Sequence, residues 1–131
     1  MARSISFSTV AAIGRTLPDV ELTTTWGKPT LKVRGRMFAC IASNKSAEPG
    51  SLVVMMDFAD RDALVQEDPA TYYLKDHYQN YPCVLVRLSK VHADALRDLV
   101  TGAHRFMSEK AKRKRTVGAK RRKSIGPPRA R

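Results

Sequence analysis

Residues 25–41 read TWGKPTLKVRGRMFACI, and cations alternate with apolar residues along this stretch. Leu31 and Val33 lie on one side of an extended chain and the intervening cations on the other, which is the two-residue period of a half-buried strand. Arg34-Gly35 suits a two-residue turn because glycine tolerates a positive φ. The stretch therefore predicts a β-hairpin with one apolar face and one cationic face.

Short apolar runs bounded by turn residues surround this hairpin. Runs of this length and spacing are typical of strands joined in an antiparallel meander. The predicted strands, the hairpin included, are Val20–Trp26, Thr30–Arg34, Arg36–Ala42, Ser51–Phe58 and Cys83–Leu88.

Helices are predicted at both ends of this strand-rich part and once within it. Apolar residues at helical spacing indicate helices over Ser6–Leu17 and from about His92 to at least Ser108. Asp60 can cap a short helix over Arg61–Glu67, and Pro69 then opens a helical or irregular stretch with three tyrosines. The order of elements indicates an α+β fold with an antiparallel sheet of about five strands.

The positive charge of the protein is concentrated at its C-terminal end. The formal net charge is +12, but residues 110–131 hold 11 of the 24 lysines and arginines and none of the 12 acids, which leaves residues 1–109 with +1. We therefore predict a globular domain over 1–109 and a basic tail over 110–131. The tail is too poor in apolar residues to bury its own surface and is expected to be disordered when free. Gly118, Gly126 and Pro127-Pro128 are expected to prevent a continuous helix there.

Composition also limits the cellular setting. No apolar run is long enough to span a membrane, and the N-terminus is too polar for a signal peptide, so we expect a cytoplasmic protein that could associate with the nucleoid. Cys40 and Cys83 lie inside apolar runs and are expected to be buried, reduced thiols.

The cation density of the tail favours an electrostatic arm for nucleic acid, DNA more than RNA, over a solubility, membrane-surface or localisation element. The tail offers no aromatic side chains to stack on bases, so this binding is expected to be largely non-specific. The hairpin cations could add a wing that contacts phosphates, although a sheet with one wet face carries such charges for solvation alone. The candidate residues are Lys28, Lys32, Arg34 and Arg36 in the hairpin, and Lys112, Arg113, Lys114, Arg115, Lys120, Arg121, Arg122 and Lys123 in the tail.

An alternative function uses aromatic residues instead of cations. Trp26, Tyr73, His77 and Tyr78 could form a pocket for a small molecule or a protein partner, with the tail serving only localisation or solubility. Such residues also commonly close the edge of a core with their polar tips in water.

No catalytic or metal-binding motif is recognisable. The chain lacks a glycine-rich phosphate loop and a nucleophile elbow. His92 and His104 are separated by 12 residues and do not share a helix face. We therefore predict a non-enzymatic protein without cofactor or metal, as a monomer in preference to an oligomer.

A series of short motifs lies along about residues 5–107: Leu17–Val20, Thr24–Gly27, Pro29, Lys32–Gly35, Phe38-Ala39, Asp60-Arg61, Leu64, Asp68-Pro69, Tyr72-Tyr73, His77-Tyr78, Tyr81-Pro82 and Val84–Leu88. The order of these motifs resembles the MmcQ/YjbR-like family. This resemblance implies a fold similar to frataxin/CyaY, with the terminal helices packed on one face of an antiparallel sheet, and it implies no catalytic residues. The family is commonly labelled DNA-binding by analogy of its hairpins to paired wings. Iron binding is not expected here, because Ser6–Leu17 contains no carboxylate.

Overall fold

The structure is a computed structural model that describes the backbone of residues 5–124 and the side chains of residues 5–110. Within these residues the chain forms one six-stranded antiparallel sheet and three α-helices. The predicted α+β fold is therefore confirmed, with one strand more than the sequence indicated. The strands are β1 (Val20–Thr25), β2 (Lys28–Val33), β3 (Arg36–Ile41), β4 (Leu52–Met55), β5 (Tyr72–Tyr73) and β6 (Cys83–Val86).

The sheet has the strand order β1-β2-β3-β4-β6-β5, so β1 and β5 form its two edges. Strand β5 was not predicted, because two residues are too few to show a periodic pattern. It pairs with β6 through Tyr72 opposite Val86 and Tyr73 opposite Leu85. Every other neighbouring pair is antiparallel as well.

The helices are α1 (Phe7–Gly14), α2 (Phe58–Glu67) and α3 (Ala93–Ser124), and a short 3-10 helix covers Asp76–Tyr78. Helix α2 begins earlier than predicted because Asp57 is its cap, accepting a 2.9 Å hydrogen bond from the backbone N–H of Asp60. Among the helices that the structure describes, none has the length and apolar character needed to cross a membrane.

Helices α1 and α3 cover one face of the sheet, as the family resemblance implies. Val10 of α1 and Leu96 of α3 are fully buried in one cluster with Leu31, Phe38 and Val54 of the sheet. This face therefore holds the main hydrophobic core, whose burial is the dominant stabilising contribution to folding.

The opposite face of the sheet is also partly covered. Cys40, Val53, Leu85 and the tyrosine Tyr78 form a second buried cluster on this side. Thr30, which the two-residue period places on the polar face of the hairpin, is fully buried on the same side, opposite Cys40. The polar face of the hairpin is thus less exposed to solvent than its sequence predicts, because the second buried cluster extends to β2 and β3.

Helix α3 extends well past Ser108, the residue that it was predicted to reach at least. Its backbone continues past Gly118 to Ser124, so the expected interruption at Gly118 is wrong for the part that the structure describes. One glycine within a helix costs only about 1 kcal/mol relative to alanine, which disfavours the helix without ending it. Residues 125–131, with Gly126 and Pro127-Pro128, lie outside the described residues, and the predicted disorder of the free tail stays a prediction. We call residues 110–124 of α3 the basic extension.

Candidate nucleic-acid interface

The hairpin predicted from the sequence has the predicted turn. Arg34 and Gly35 have φ values of 52° and 81°, and they connect β2 to β3 directly. Two positive φ values in a two-residue loop define the turn whose twist matches that of paired strands. This turn places Arg34 at one end of the sheet, and Arg36 directly follows the turn. We call this end of the sheet the Arg34 end.

Two acidic residues, Asp19 just before β1 and Glu21 within it, reduce the charge of this hairpin. The guanidinium of Arg34 lies 3.4 Å from the carboxylate of Asp19, and both side chains are partly exposed. Lys32 lies directly opposite Glu21 in the register of β1 and β2. The sequence separates these acids from the hairpin cations, whereas the fold places them side by side. The hairpin is therefore a weaker cationic surface than its sequence indicates.

The four hairpin cations do not form one continuous patch. Lys28 follows a second two-residue turn, Trp26-Gly27, at the opposite end of β2. Six residues of extended chain separate Lys28 from Arg34, which corresponds to about 20 Å. A wing that contacts phosphates at the Arg34 end would therefore consist of Arg34 and Arg36, with Lys32 beside them and Lys28 excluded.

Helix α3 leaves the sheet at the Arg34 end. The ring nitrogen Nε2 of His104 donates a 2.7 Å hydrogen bond to the carbonyl oxygen of Pro18, which can only accept. Pro18 directly precedes Asp19, the partner of Arg34. Lys110 follows His104 by six residues, or about 9 Å along the helix axis. The basic extension therefore begins next to the hairpin turn.

The basic extension carries all the surplus positive charge of residues 5–124, because residues 5–109 hold equal numbers of cations and acids. Its 15 residues include nine lysines and arginines and no acid. All eight tail candidates, Lys112–Arg115 and Lys120–Lys123, belong to this helical segment. The side chains of residues 111–124 are outside the described part, so this interface is defined by the helix backbone and the sequence.

The predicted aromatic pocket is not formed by its four residues together. Trp26 lies in the turn after edge strand β1, whereas Tyr73 belongs to β5 at the other edge. Four to five strand spacings separate the two residues, which corresponds to roughly 20 Å. Trp26 is 86% exposed, Tyr73 and Tyr78 are buried, and His77 packs edge-on against Tyr78. The prediction failed because it required edge strands of one sheet to be neighbours.

Tyr73 has a structural role instead. Its hydroxyl accepts a 2.8 Å hydrogen bond from the backbone N–H of Glu48 and lies 2.5 Å from the hydroxyl of Ser51. The guanidinium of Arg87 stacks 4.2 Å from the centre of the Tyr73 ring and also binds both carboxylate oxygens of Glu48. This hydrogen bonding from Arg87 lowers the pKa of Glu48. These contacts of Tyr73 and Arg87 hold the loop before β4 against strands β5 and β6.

The two cysteines are free and buried, as predicted. They lie on the sheet face away from the terminal helices, in the second buried cluster. Burial raises the pKa of both Cys40 and Cys83 from 9.0 to about 11. Both thiols therefore stay protonated at neutral pH.

Comparisons with known proteins agree with this architecture. The model of the YjbR family matches residues 15–106. Over 41 residues the chain is 39% identical to Uncharacterized protein Rv2570 of Mycobacterium tuberculosis and to Uncharacterized protein Mb2600 of Mycobacterium bovis. These matches cover 31% of this chain and 32% of each relative, so the chain spans about a third of the length of the curated relatives it matches.

A solved structure has the same fold. The crystal structure of Deinococcus radiodurans protein DR2400, family-model domain DUF419, is similar with a TM-score of 0.69 over 85% of both chains. The sequence identity is 20%, so this likeness concerns the fold alone. The family match over most of the chain shows by itself that this protein belongs to the YjbR family.

Proposed function

We propose that this protein is a non-enzymatic nucleic-acid-binding protein whose basic extension supplies most of the affinity, with DNA favoured over RNA. The observation that supports this proposal most is the course of helix α3. The helix leaves the folded domain beside the Arg34 end of the sheet and continues as an acid-free cationic segment to Ser124. One continuous helix thus joins the folded domain to the segment with the highest charge density. A cytoplasmic, DNA-associated location is part of this proposal.

Counterion release gives the expected strength of such binding. If the extension neutralises about six phosphates, the logarithm of the binding constant falls with the logarithm of salt concentration with a slope of about −5. Raising the salt concentration from about 50 to 200 mM then weakens binding about a thousandfold. The dependence on DNA sequence is expected to be small, because the extension contains no aromatic residue, asparagine or glutamine to contact bases.

The hairpin contributes orientation and a smaller share of the affinity. Arg34 and Arg36 lie at the end of the sheet from which α3 emerges, so a duplex bound to the extension passes close to them. Because Asp19 already compensates Arg34, the gain from this second contact is limited.

The test is a fluorescence anisotropy titration of the full chain with a labelled duplex of about 20 base pairs, at low salt. One variant replaces Lys112, Arg113, Lys114 and Arg115 with glutamine. A matched control replaces four exposed cations of the folded domain, Arg15, Lys45, Lys75 and Lys90, with glutamine, for the same change in net charge.

We expect the variant in the extension to bind at least tenfold more weakly than the control, because local phosphate contacts matter more than net charge. Equal loss in both proteins would mean that only net charge attracts DNA. No detectable binding of the unmodified protein at low salt would refute the proposal.

The alternative of a small-molecule or protein-binding module loses the site on which it was based. Trp26 lies far from Tyr73, and both Tyr73 and Tyr78 are buried. A cavity elsewhere in the structure has better properties for a ligand.

A further inference from the structure

An open groove lies between helices α2 and α3, and it has no role in the proposed binding of nucleic acid. Its volume is about 590 Å³, which is within the usual range for small-molecule sites. Apolar side chains form much of its lining, among them Met56, Leu64, Tyr72, Leu99 and Phe106. A ligand with an apolar body of about the size of a phenylalkyl group would replace water there favourably.

The lining of the groove is acidic, in contrast to the protein as a whole. It includes four carboxylates but a single cation, Arg105, whereas the chain has a net charge of +12. All four acidic residues are exposed, and the ion pairs found among the described side chains include none of them. The acidic residues of the lining are Asp57, Asp60, Asp98 and Glu109.

A cation of the chain itself already lies next to this groove. The ammonium nitrogen of Lys110 is 5.4 Å from the centre of the Phe106 ring, within the range of a cation–π contact. Glu109 is its neighbour in the chain and also lines the groove. An aromatic face with carboxylates nearby is therefore present here, and this combination stabilises an ammonium group.

We propose that the groove between α2 and α3 binds a small amphipathic organic cation, with an apolar body on the groove floor and an ammonium or guanidinium group among the carboxylates. The apolar floor explains the preference for an organic ligand over a metal ion, and the excess of carboxylates explains the preference for a cation over an anion. This site is independent of nucleic-acid binding, because phosphates are repelled by the same carboxylates.

The test uses three probes that differ only in their polar group: 4-phenylbutylammonium, 4-phenylbutanol and 5-phenylpentanoate. Each is titrated into the 15N-labelled full-length protein, and amide chemical shifts are followed by NMR. We expect saturable binding of the ammonium probe with a dissociation constant of about 1 mM or lower. The alcohol should bind about tenfold more weakly and the carboxylate more weakly still, with shifts confined to residues in and around the groove lining.

Two variants test separately how binding depends on the shape of the groove and on its charge. Gly102 lines the groove, and a side chain added there meets open space, so Gly102→Leu fills the groove without a clash and should abolish binding of all three probes. Asp60→Asn with Asp98→Asn keeps the shape and should remove the preference for the ammonium probe over the alcohol. Glu67→Gln with Asp76→Asn, two exposed carboxylates outside the groove, should leave that preference unchanged.

Three results would overturn the proposal. One is binding of the carboxylate probe as tightly as the ammonium probe, which would mean that Arg105 determines the selectivity. Another is an unchanged affinity in the Gly102→Leu variant, which would place the probe elsewhere. The third is the absence of saturable shifts up to about ten times the expected dissociation constant. None of these results depends on whether the basic extension binds DNA.

Discussion

The two parts of helix α3 differ in what their residues do. In the first part, 93–109, Leu96 and Val100 are fully buried, and three acids offset two arginines. In the second part, the basic extension, nine cations stand without a single acid. The same helical backbone therefore serves first as a core element and then as a charged segment. Packing thus stabilises the first part, whereas we propose that the acid-free charge of the second part determines the binding of nucleic acid.

The largest effect on stability is expected in the packed part of α3. Leu96 is fully buried, so Leu96→Ala should lower the free energy of unfolding by about 3 kcal/mol through lost apolar contacts and a cavity. Replacing Lys112, Arg113, Lys114 and Arg115 with glutamine should change it by less than about 0.5 kcal/mol. Urea unfolding of both variants measures the difference. Similar destabilisation by the two would mean that the extension is part of the cooperative fold.

The buried thiols provide a chemical test of how well the folded domain is closed. The rise in the pKa of Cys40 and Cys83 from 9.0 to about 11 lowers the thiolate fraction about a hundredfold near pH 8. Reaction with a disulfide reagent at this pH should be at least a hundredfold slower in the folded protein than in guanidinium chloride. Equal rates would show that the second face of the sheet opens readily.

The same thiols make a prediction about stability at high pH. Because the folded state binds their protons more tightly, their contribution is fully present below pH 9.0 and is lost as the pH rises toward 11. Replacing both residues with serine removes this loss, and thermal melts at increasing pH compare the two proteins. An identical pH dependence in both would contradict the assigned burial.

Replacing each of two helical glycines with alanine should change the stability of the protein in opposite directions. A Cβ on Gly14 would lie 2.7 Å from Leu31, which is fully buried, so Gly14→Ala should destabilise the protein by about 1–3 kcal/mol. A Cβ on Gly102 meets nothing, so Gly102→Ala should stabilise it by about 0.5–1 kcal/mol. Thermal melts of the pair test whether α1 contacts β2 as closely as described. Stabilisation by both changes would indicate a looser contact.

The smallest effect is expected at the hairpin turn. Arg34→Gln with Arg36→Gln should weaken DNA binding about three- to tenfold and reduce the salt slope by one to two. Asp19→Asn should strengthen binding slightly because it releases Arg34 from its ion pair. Anisotropy titrations measure both changes. If Arg34→Gln with Arg36→Gln leaves the affinity unchanged, the hairpin is an ordinary charged sheet face and the extension acts alone.

Local features of this protein could be predicted from its sequence. The alternation around Leu31 and Val33 and the turn residues Arg34-Gly35 determine the hairpin, because period and φ preference are local properties. The run from Cys83 to Val86 was recognisable as a strand because of its β-branched, apolar residues. The concentration of positive charge in the tail could be found by counting the charged residues of the sequence.

Features that depend on distant residues could not be predicted. The groove combines Asp60 with Asp98, and the compensation of Arg34 comes from Asp19, which precedes β1. Such pairs become neighbours only through the order of the strands in the sheet and the position of α2 beside α3. The expected pocket of Trp26 with Tyr73 failed for the same reason, since the strand order alone places β1 and β5 at opposite edges.

The central claim is that the basic extension, and not the folded domain, carries the affinity for nucleic acid. The most direct measurement is the salt slope of duplex binding for the unmodified protein and for a variant with glutamine at all eight positions, Lys112–Arg115 and Lys120–Lys123. The account predicts a slope of about −5 for the unmodified protein and one between about −2 and 0 for the variant. Equal slopes for the two proteins would contradict it.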